Sequence, residues 1–596
     1  MASLSTPAET SGSTLQTTPP LGATVRPRGV HFALRTTKAS ACAVRLFDAA
    51  GAAIETIPLV AQEDGLFSAT VAQASVGTLY KFVLDGDEFP DPYARWLPAG
   101  VHGPAEVVDV QAETEVLRVA RPLDEHVIYE LHVGTFTSEG TYAAATKRLP
   151  YLAELGVTTI ELMPLAAYDG ARGWGYDGVA LFAPHPAYGT PAALRSFVDE
   201  AHRLGLSVLL DVVYNHFGPS GNYLSAYAPD YFTKEIQNAW GDAPNFTNPF
   251  LRRLVIDNAL YWLSEFHFDG LRLDAVHAIV DPSPRHILSE LTGEVKRAHP
   301  HAQLFGEDER NEPALVDEHG LDAIWADDFH HVVRVTLTGE TDGYYAAYPR
   351  GAACIAETIN NGWYFQGQVY KLTNKPRGKP ATHLSPARFV YCIQNHDQIG
   401  NRAEGDRLNH VITPEAYAAA SVLLLFLPTT PLLFQGQEWA ASTPFQFFTD
   451  HNPQLGKLIS EGRRREFQAF EAIANGTAPI PDPQAPSTFE RSKLRWEELV
   501  EDAHQRVHFL YRRLLQLRRE DPVLRQTTIT SARALGPVLE VIRRGDAGTR
   551  ALLVNLSDRA APLGGTAQGA LVLATCDVLE SPTELPAYGA VLLSRD

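Results

Sequence analysis

The sequence predicts an α/β protein: a (β/α)8 TIM barrel with a small immunoglobulin-like β-sandwich before it and a second β-sandwich after it. Three observations predict this. Eight mainly apolar runs of strand length recur between residues 127 and 438, mostly without strict alternation, as strands covered on both faces require. Amphipathic segments separate them, as connecting helices would. The flanking regions instead carry short alternating runs broken by turns. At 596 residues the chain is also too long for one ordinary core.

The elements follow in order. Residues 1–20 are rich in Ser, Thr and Pro and lack a basic start followed by an apolar run, so the expectation is disorder rather than a signal peptide. Residues 21–112 form the first sandwich, with strands at Gly29–Arg35, Cys42–Asp48, Leu66–Val71 and Tyr80–Leu84. Residues 91–104, with three prolines, read as a linker folded back on the barrel. Residues 113–525 form the barrel, with strands at Val127–Val133, Thr158–Pro164, Ser207–Asn215, Gly270–Val276, Gln303–Asp308, Ala323–Asp328, Arg388–Asp397 and Pro431–Glu438. Helices are expected at Thr146–Leu155, Pro191–Arg203, Leu251–Phe266 and Arg285–Ala298. The long gaps after strands three and six are expected to be elaborated loops. After a helix near Asp502–Arg519, residues 526–596 return to short strands.

Composition narrows the function. A formal charge of −20 disfavours nucleic acid as a partner. No run approaches the ~18 to 20 apolar residues that span a bilayer. Cys42, Cys354, Cys392 and Cys576 are scattered, with no CxxC and no metal-type spacing, and read as free thiols. These features suggest a cytoplasmic protein, taken as a monomer, with no membrane partner.

Five strands end in unusual polar residues: Asp211-Val-Val-Tyr-Asn215-His216, Gly270-Leu-Arg272-Leu-Asp274-Ala-Val-His277, Phe305-Gly-Glu307-Asp308, Ala326-Asp327-Asp328-Phe329-His330-His331 and Gln394-Asn395-His396-Asp397. In a barrel such ends converge on one face, where active sites form. One acidic residue after a strand is often a helix cap, but five together with interleaved Arg and His are not. Converging carboxylates suit a hard metal or glycoside chemistry. Glycosidic cleavage needs one ionised and one protonated carboxyl. Arg272 lies two residues before Asp274, on the same strand face, and would hold it ionised. Glu307 has no basic neighbour within two residues and would be kept protonated by its acidic surroundings. Asp274 is thus read as nucleophile and Glu307 as general acid/base.

These strings resemble the four signature segments of the α-amylase superfamily of glycoside hydrolases, in order on strands three, four, five and seven. The resemblance covers about residues 120–520 and implies a retaining double displacement. It makes Asp397 the transition-state stabiliser, places Asp211, His216, Arg272 and His396 around the reacting sugar, and makes Tyr176 its stacking platform. The N-terminal sandwich points to the glycogen-related members. Ile324–His331, Leu337–Glu340, Gly343–Tyr345, Phe305–Asn311 and His396–Arg402 are similar to the maltooligosyltrehalose trehalohydrolases. That likeness implies cleavage of the α-1,4 bond next to a terminal trehalose, on an α-glucan oligosaccharide ending in trehalose.

By the same likeness, substrate is contacted by Arg272, Leu273, Ala275, Val276 and His277, by Asp327, Asp328, Phe329, His330 and His331, and by His396, Gln398, Ile399, Gly400 and Asn401. The strand-six cluster offers donors and acceptors for the hydroxyl-rich trehalose leaving group. Two histidines beside two aspartates could also bind a metal, but adjacent strand residues face opposite ways. No cofactor and no metal are expected. Rival readings are a branching or debranching enzyme and a non-catalytic glucan-binding protein. Gly173-Trp-Gly-Tyr-Asp-Gly178 matches GxGxxG only in letters, because two prolines follow instead of a helix. Arg463–Arg465 reads as a solvated helix face.

Overall fold

The computed structural model describes residues 21–109, 119–238, 240–467, 480–563, 568–577 and 582–595. The first twenty residues, expected to be disordered, and the expected junction at 112/113 lie outside them.

Two antiparallel sheets form the N-terminal sandwich. One orders the strands Gly22–Arg26, Gly29–Arg35, Leu66–Val71 and Val60–Ala61. The other orders Ala53–Pro58, Cys42–Phe47, Leu79–Leu84 and Asp87–Phe89. Along Cys42–Phe47 every second residue is buried, the period that one covered face imposes. Val30, Phe32 and Leu34 meet Val44, Leu46, Tyr80 and Phe82 in one apolar core. Residues 91–104 fold back through the apolar side chains between their prolines: Ala94, Leu97 and Val101 belong to this core, together with Val179, Ala180 and Tyr227 of the barrel loops.

Eight parallel strands close the barrel in chain order: Ile128–Leu131, Thr159–Leu162, Ser207–Val212, Gly270–Leu273, Gln303–Glu307, Ala323–Trp325, Phe389–Cys392 and Thr430–Phe434. All eight expected runs are present, each shorter at its carboxyl end. The helices Pro191–Arg203, Pro249–Glu265 and Pro414–Phe426 each open on a proline behind a Thr or Asn whose side chain accepts from the first turn. After the third strand the chain adds the hairpin Phe232–Asn238 with Gly241–Pro244. After the sixth it adds the helices Asp328–Thr338 and Ala352–Asn361.

The C-terminal part is a five-stranded antiparallel sheet with a two-stranded ribbon, Ala561–Pro562 with Glu584–Leu585. Val538, Leu553, Val591 and Leu593 pack under that ribbon. Leu539, Val541, Leu552 and Val554 face the barrel core. Asn360 joins the two parts, donating to Ala532 O at 2.9 Å and accepting from Ala532 N at 2.8 Å. All four cysteines are free. Among the described residues no helix is long and apolar enough to cross a membrane.

Candidate active site

Arg272, on the fourth strand, organises the site from beneath. One of its Nη atoms donates to both oxygens of Asp211, at 2.9 and 2.8 Å, and to Asp274 Oδ1 at 2.9 Å. The other donates to Glu307 Oε2 at 2.7 Å. The guanidinium lies 4.3 Å from the centroid of the Trp325 ring, a cation–π contact that covers its face. The Arg272 and Asp211 side chains are 0% and 1% exposed, whereas those of Asp274 and Glu307 are 12% and 15% exposed. The first pair is floor and the second is reachable.

The expectation that Glu307 lacks a basic neighbour does not hold. Arg272 lies as close to Glu307 as to Asp274. Neighbouring strands bring them together, with Arg272 in register with Phe305, an adjacency that a window of two residues along the chain cannot see. Glu307 Oε2 also accepts from Ala275 N at 2.9 Å. Ala275 has φ 39°, a left-handed conformation costing about 1–3 kcal/mol for a residue with a Cβ. The strained residue beside Asp274 thus turns its N–H onto Glu307. Asn215 completes the clamp, donating to Asp274 Oδ2 at 2.7 Å.

Tyr176 rises from the loop after the second strand. Its hydroxyl donates to Asp211 Oδ2 at 2.7 Å and meets His396 Nε2 at 2.7 Å. Its ring stacks on His396 with centroids 5.1 Å apart. The His216 ring nitrogens meet Asn215 Oδ1 at 2.6 Å and the Tyr176 carbonyl at 2.7 Å. The half-exposed Trp240 covers that imidazole at 3.6 Å. Asp397 lies in the first turn of the helix His396–Gly400, its side chain 35% exposed, and accepts from Asn401 Nδ2 at 3.1 Å. Burial pushes its carboxyl up, His396 pulls it back, and Glu307 adds to the rise.

The sixth strand ends at Trp325, and Asp328–Thr338 is a helix. The cluster expected to alternate along a strand therefore sits on a helical turn. Asp327 faces the bowl, its carboxyl pushed up to about 7 by burial and then by Glu307 and Asp397. Asp328 faces away: it accepts from Asn311 Nδ2 at 2.7 Å, Tyr348 OH at 2.6 Å and the N–H groups of Tyr364 and Phe365 at 2.9 Å each. Phe329 is core, stacked on Tyr391 at 4.3 Å. His330 is buried, and burial lowers its pKa well below the usual value. His331 is tied to the Asp327 carbonyl through Nδ1 at 2.5 Å.

Other expected contact residues are held by packing and hydrogen bonds. Leu273 and Val276 are 1% exposed in the barrel core. Ile399 packs with Trp174 and Phe445. A Cβ on Gly400 would sit 2.0 Å from the Trp174 ring. His277 is half-buried, with Nε2 3.8 Å from Glu309 Oε1. Gln398 accepts from Tyr344 OH at 3.3 Å. Among the described residues no group of three or more His, Cys, Asp or Glu is placed to hold a metal ion.

The sequence reading passed over Glu130 and Glu161, register partners on the first two strands and both buried. The available signal was a carboxylate in the middle of an apolar strand rather than at its end. Trp240, which stacks on His216, lies in loop sequence without a periodic signal, and Asn215, read as a strand end, donates to Asp274 from just beyond the strand.

A closed parallel barrel whose acids share one buried arginine at the carboxyl ends of its strands defines the class: a glycoside hydrolase of the α-amylase type. A family model for the alpha amylase catalytic domain matches residues 112–245. A malto-oligosyltrehalose trehalohydrolase of Deinococcus radiodurans is 54% identical over 492 residues, 80% of this chain and 81% of its own. One from Rhizobium sp. strain M-11 is 43% identical over 559 residues, 89% of this chain and 92% of its own. A solved structure from Salmonella typhimurium, 39% identical, covers 97% of this chain and 99% of its own, with a TM-score of 0.89. The chain belongs to the malto-oligosyltrehalose trehalohydrolase family.

Proposed function

We propose that this chain hydrolyses the α-1,4-glucosidic bond next to the terminal trehalose of a maltooligosyltrehalose, releasing trehalose and a maltooligosaccharide. Asp274 attacks the anomeric carbon while Glu307 protonates the departing oxygen of the trehalose unit. Glu307, now ionised, takes a proton from water, which displaces Asp274 and returns the same anomer. Asp397 binds hydroxyls of the reacting sugar as its ring flattens. Arg272 holds both carboxyl groups in position, and the N–H of Ala275 braces Glu307.

One observation carries the reading: Asp274 and Glu307 hang from the two Nη atoms of a single guanidinium. That arrangement favours the close spacing of about 5 Å that distinguishes retaining pairs from inverting ones. Family membership supports the trehalose end of the substrate, and Asp327, which faces Glu307 and Asp397, offers it a polar group. The four free thiols fit a reducing compartment, so we assign the reaction to the cytoplasm.

Product analysis on a trehalose-capped maltooligosaccharide tests the reading. Free trehalose should appear with a maltooligosaccharide that is first the α-anomer by proton NMR. New α-1,6 branches on amylose and no trehalose would replace it with a branching enzyme. Glu307→Gln should lower turnover by about two to four orders of magnitude, because leaving-group protonation is lost.

A further inference from the structure

We propose that Glu130 is a positioning residue for this reaction: it fixes His396 as a doubly protonated imidazolium whose Nε2–H holds the Tyr176 hydroxyl against Asp211. Glu130 lies in the first barrel strand, outside the segments that carry the acids. Its Oε1 is 2.5 Å from His396 Nδ1, and its Oε2 accepts from His396 N at 3.0 Å. Both side chains are 1% exposed.

Donor and acceptor bookkeeping gives the charge state. Asp211 accepts from Arg272 at both oxygens; burial pushes its carboxyl up to about 7 and Arg272 pulls it back, and in its ionised form it is an acceptor only. The Tyr176 hydroxyl, 2.7 Å from Asp211 Oδ2, must therefore donate to it. The 2.7 Å contact between that hydroxyl and His396 Nε2 is then donated by the imidazole. On the opposite side Nδ1 faces the carboxylate of Glu130 and donates as well. Both ring nitrogens carry protons, and a continuous chain runs from Glu130 through His396, Tyr176, Asp211 and Arg272 to Asp274 and Glu307.

The surroundings support this assignment. Charged and titratable groups face His396 from several strands: Glu130 from the first, Glu161 from the second, Asp211 from the third, Arg272 from the fourth, and Asp397 from its own turn. His132 lies beyond Glu130, and the Trp174 and Trp325 rings, 5.7 and 6.1 Å away, close the remaining sides. Burial alone would lower the His396 pKa; Glu130 first, then Asp397, override it and push it up to about 10. Glu161 has no hydrogen-bond partner at either oxygen, and burial next to Glu130 raises its pKa, whereas both Glu130 oxygens are hydrogen-bonded to His396.

The inference rests on the glycosidase reading only through its activity assay. Glu130→Gln removes the carboxylate and leaves His396 buried and neutral near pH 7. Its kcat on the trehalose-capped chain should fall by about 10- to 100-fold at pH 7 and recover by up to tenfold per pH unit towards pH 5, as the imidazole regains its proton. Glu130→Asp should restore most of the loss. In the wild type, 15N-labelled histidine NMR, with His396 assigned by its loss in His396→Asn, should show both ring nitrogens protonated through pH 8. An unchanged Glu130→Gln pH profile, with or without a uniform loss of kcat, overturns the proposal. So does a wild-type His396 that titrates near pH 6.5. The NMR result decides even if Glu130→Gln fails to fold. A wild type that releases no trehalose would instead break the functional reading and leave the titration standing.

Discussion

Two walls of the bowl are built from the same residue types and work differently. On strands three to five, Asp211, Asp274 and Glu307 converge on Arg272, so charge is concentrated and partly open to solvent. After strand six, Asp328, Phe329 and His330 turn into the protein and only Asp327 presents its carboxylate to the other acids. The first wall gathers its acids around one guanidinium. The second uses Asp328 to tie down the loop at residues 364–365 and leaves one acid facing the others. A cluster of acids and histidines in sequence is therefore not a site until the local backbone decides which of them share a face.

Substitutions can break or sharpen that contrast. The largest effect is expected from Arg272→Lys. A point charge cannot serve three carboxylates through a planar fork, and the cost of disrupting a buried ion pair, about 3–5 kcal/mol, corresponds to a loss of kcat on the order of 10²–10⁴. Steady-state kinetics on the trehalose-capped substrate measures it.

Asp328→Asn should do the opposite. Chemical denaturation should show about 2–3 kcal/mol of lost stability, because charge-assisted bonds from two N–H groups, one hydroxyl and one amide weaken. The kcat of the folded fraction should stay within about threefold. A large loss of kcat at full stability would mean that this wall takes part in the reaction.

Asp327→Asn tests the one acid of that wall that faces the bowl. Burial, then Glu307 and Asp397, push its own carboxyl up to about 7, so the pH profile of kcat should carry an inflection near neutrality that Asp327→Asn removes, while thermal stability changes little. A variant profile that keeps the inflection would show that Asp327 does not act on the reaction.

The smallest effect belongs beneath both walls. Glu161 has a folded pKa raised above its unfolded value by burial and by Glu130. Its contribution to stability is therefore full below the unfolded value of about 4.3 and is lost as pH rises towards the folded one. Glu161→Gln removes that dependence. The variant should match the wild type near pH 4.5 and exceed it in unfolding free energy at pH 8, as urea titrations at the two pH values would show.

The barrel was legible because eight buried strands leave eight apolar runs, and no local property masks them. Strand ends were not. Asn215, Val276, Asp328 and Asp397 all read as continuations, yet the strands stop before them. At Ala275 the backbone turns left-handed, and at Asp328 a helix begins. That Asp274 and Glu307 come together in one bowl was readable from residue type and position. Their shared dependence on Arg272 was not, because it arises from strand neighbours 35 residues apart in the chain. Glu130 was missed for the same reason: its importance lies in a contact with His396, 266 residues away.

The account stands or falls on covalent chemistry at one carboxylate. Mass spectrometry of the protein incubated with a 5-fluoro-α-glucosyl fluoride should find a glycosyl adduct on the peptide containing Asp274, and none in Asp274→Asn. An adduct on Glu307, or a substrate hydrolysed with inversion and no adduct anywhere, would contradict the assignment of Asp274 as nucleophile.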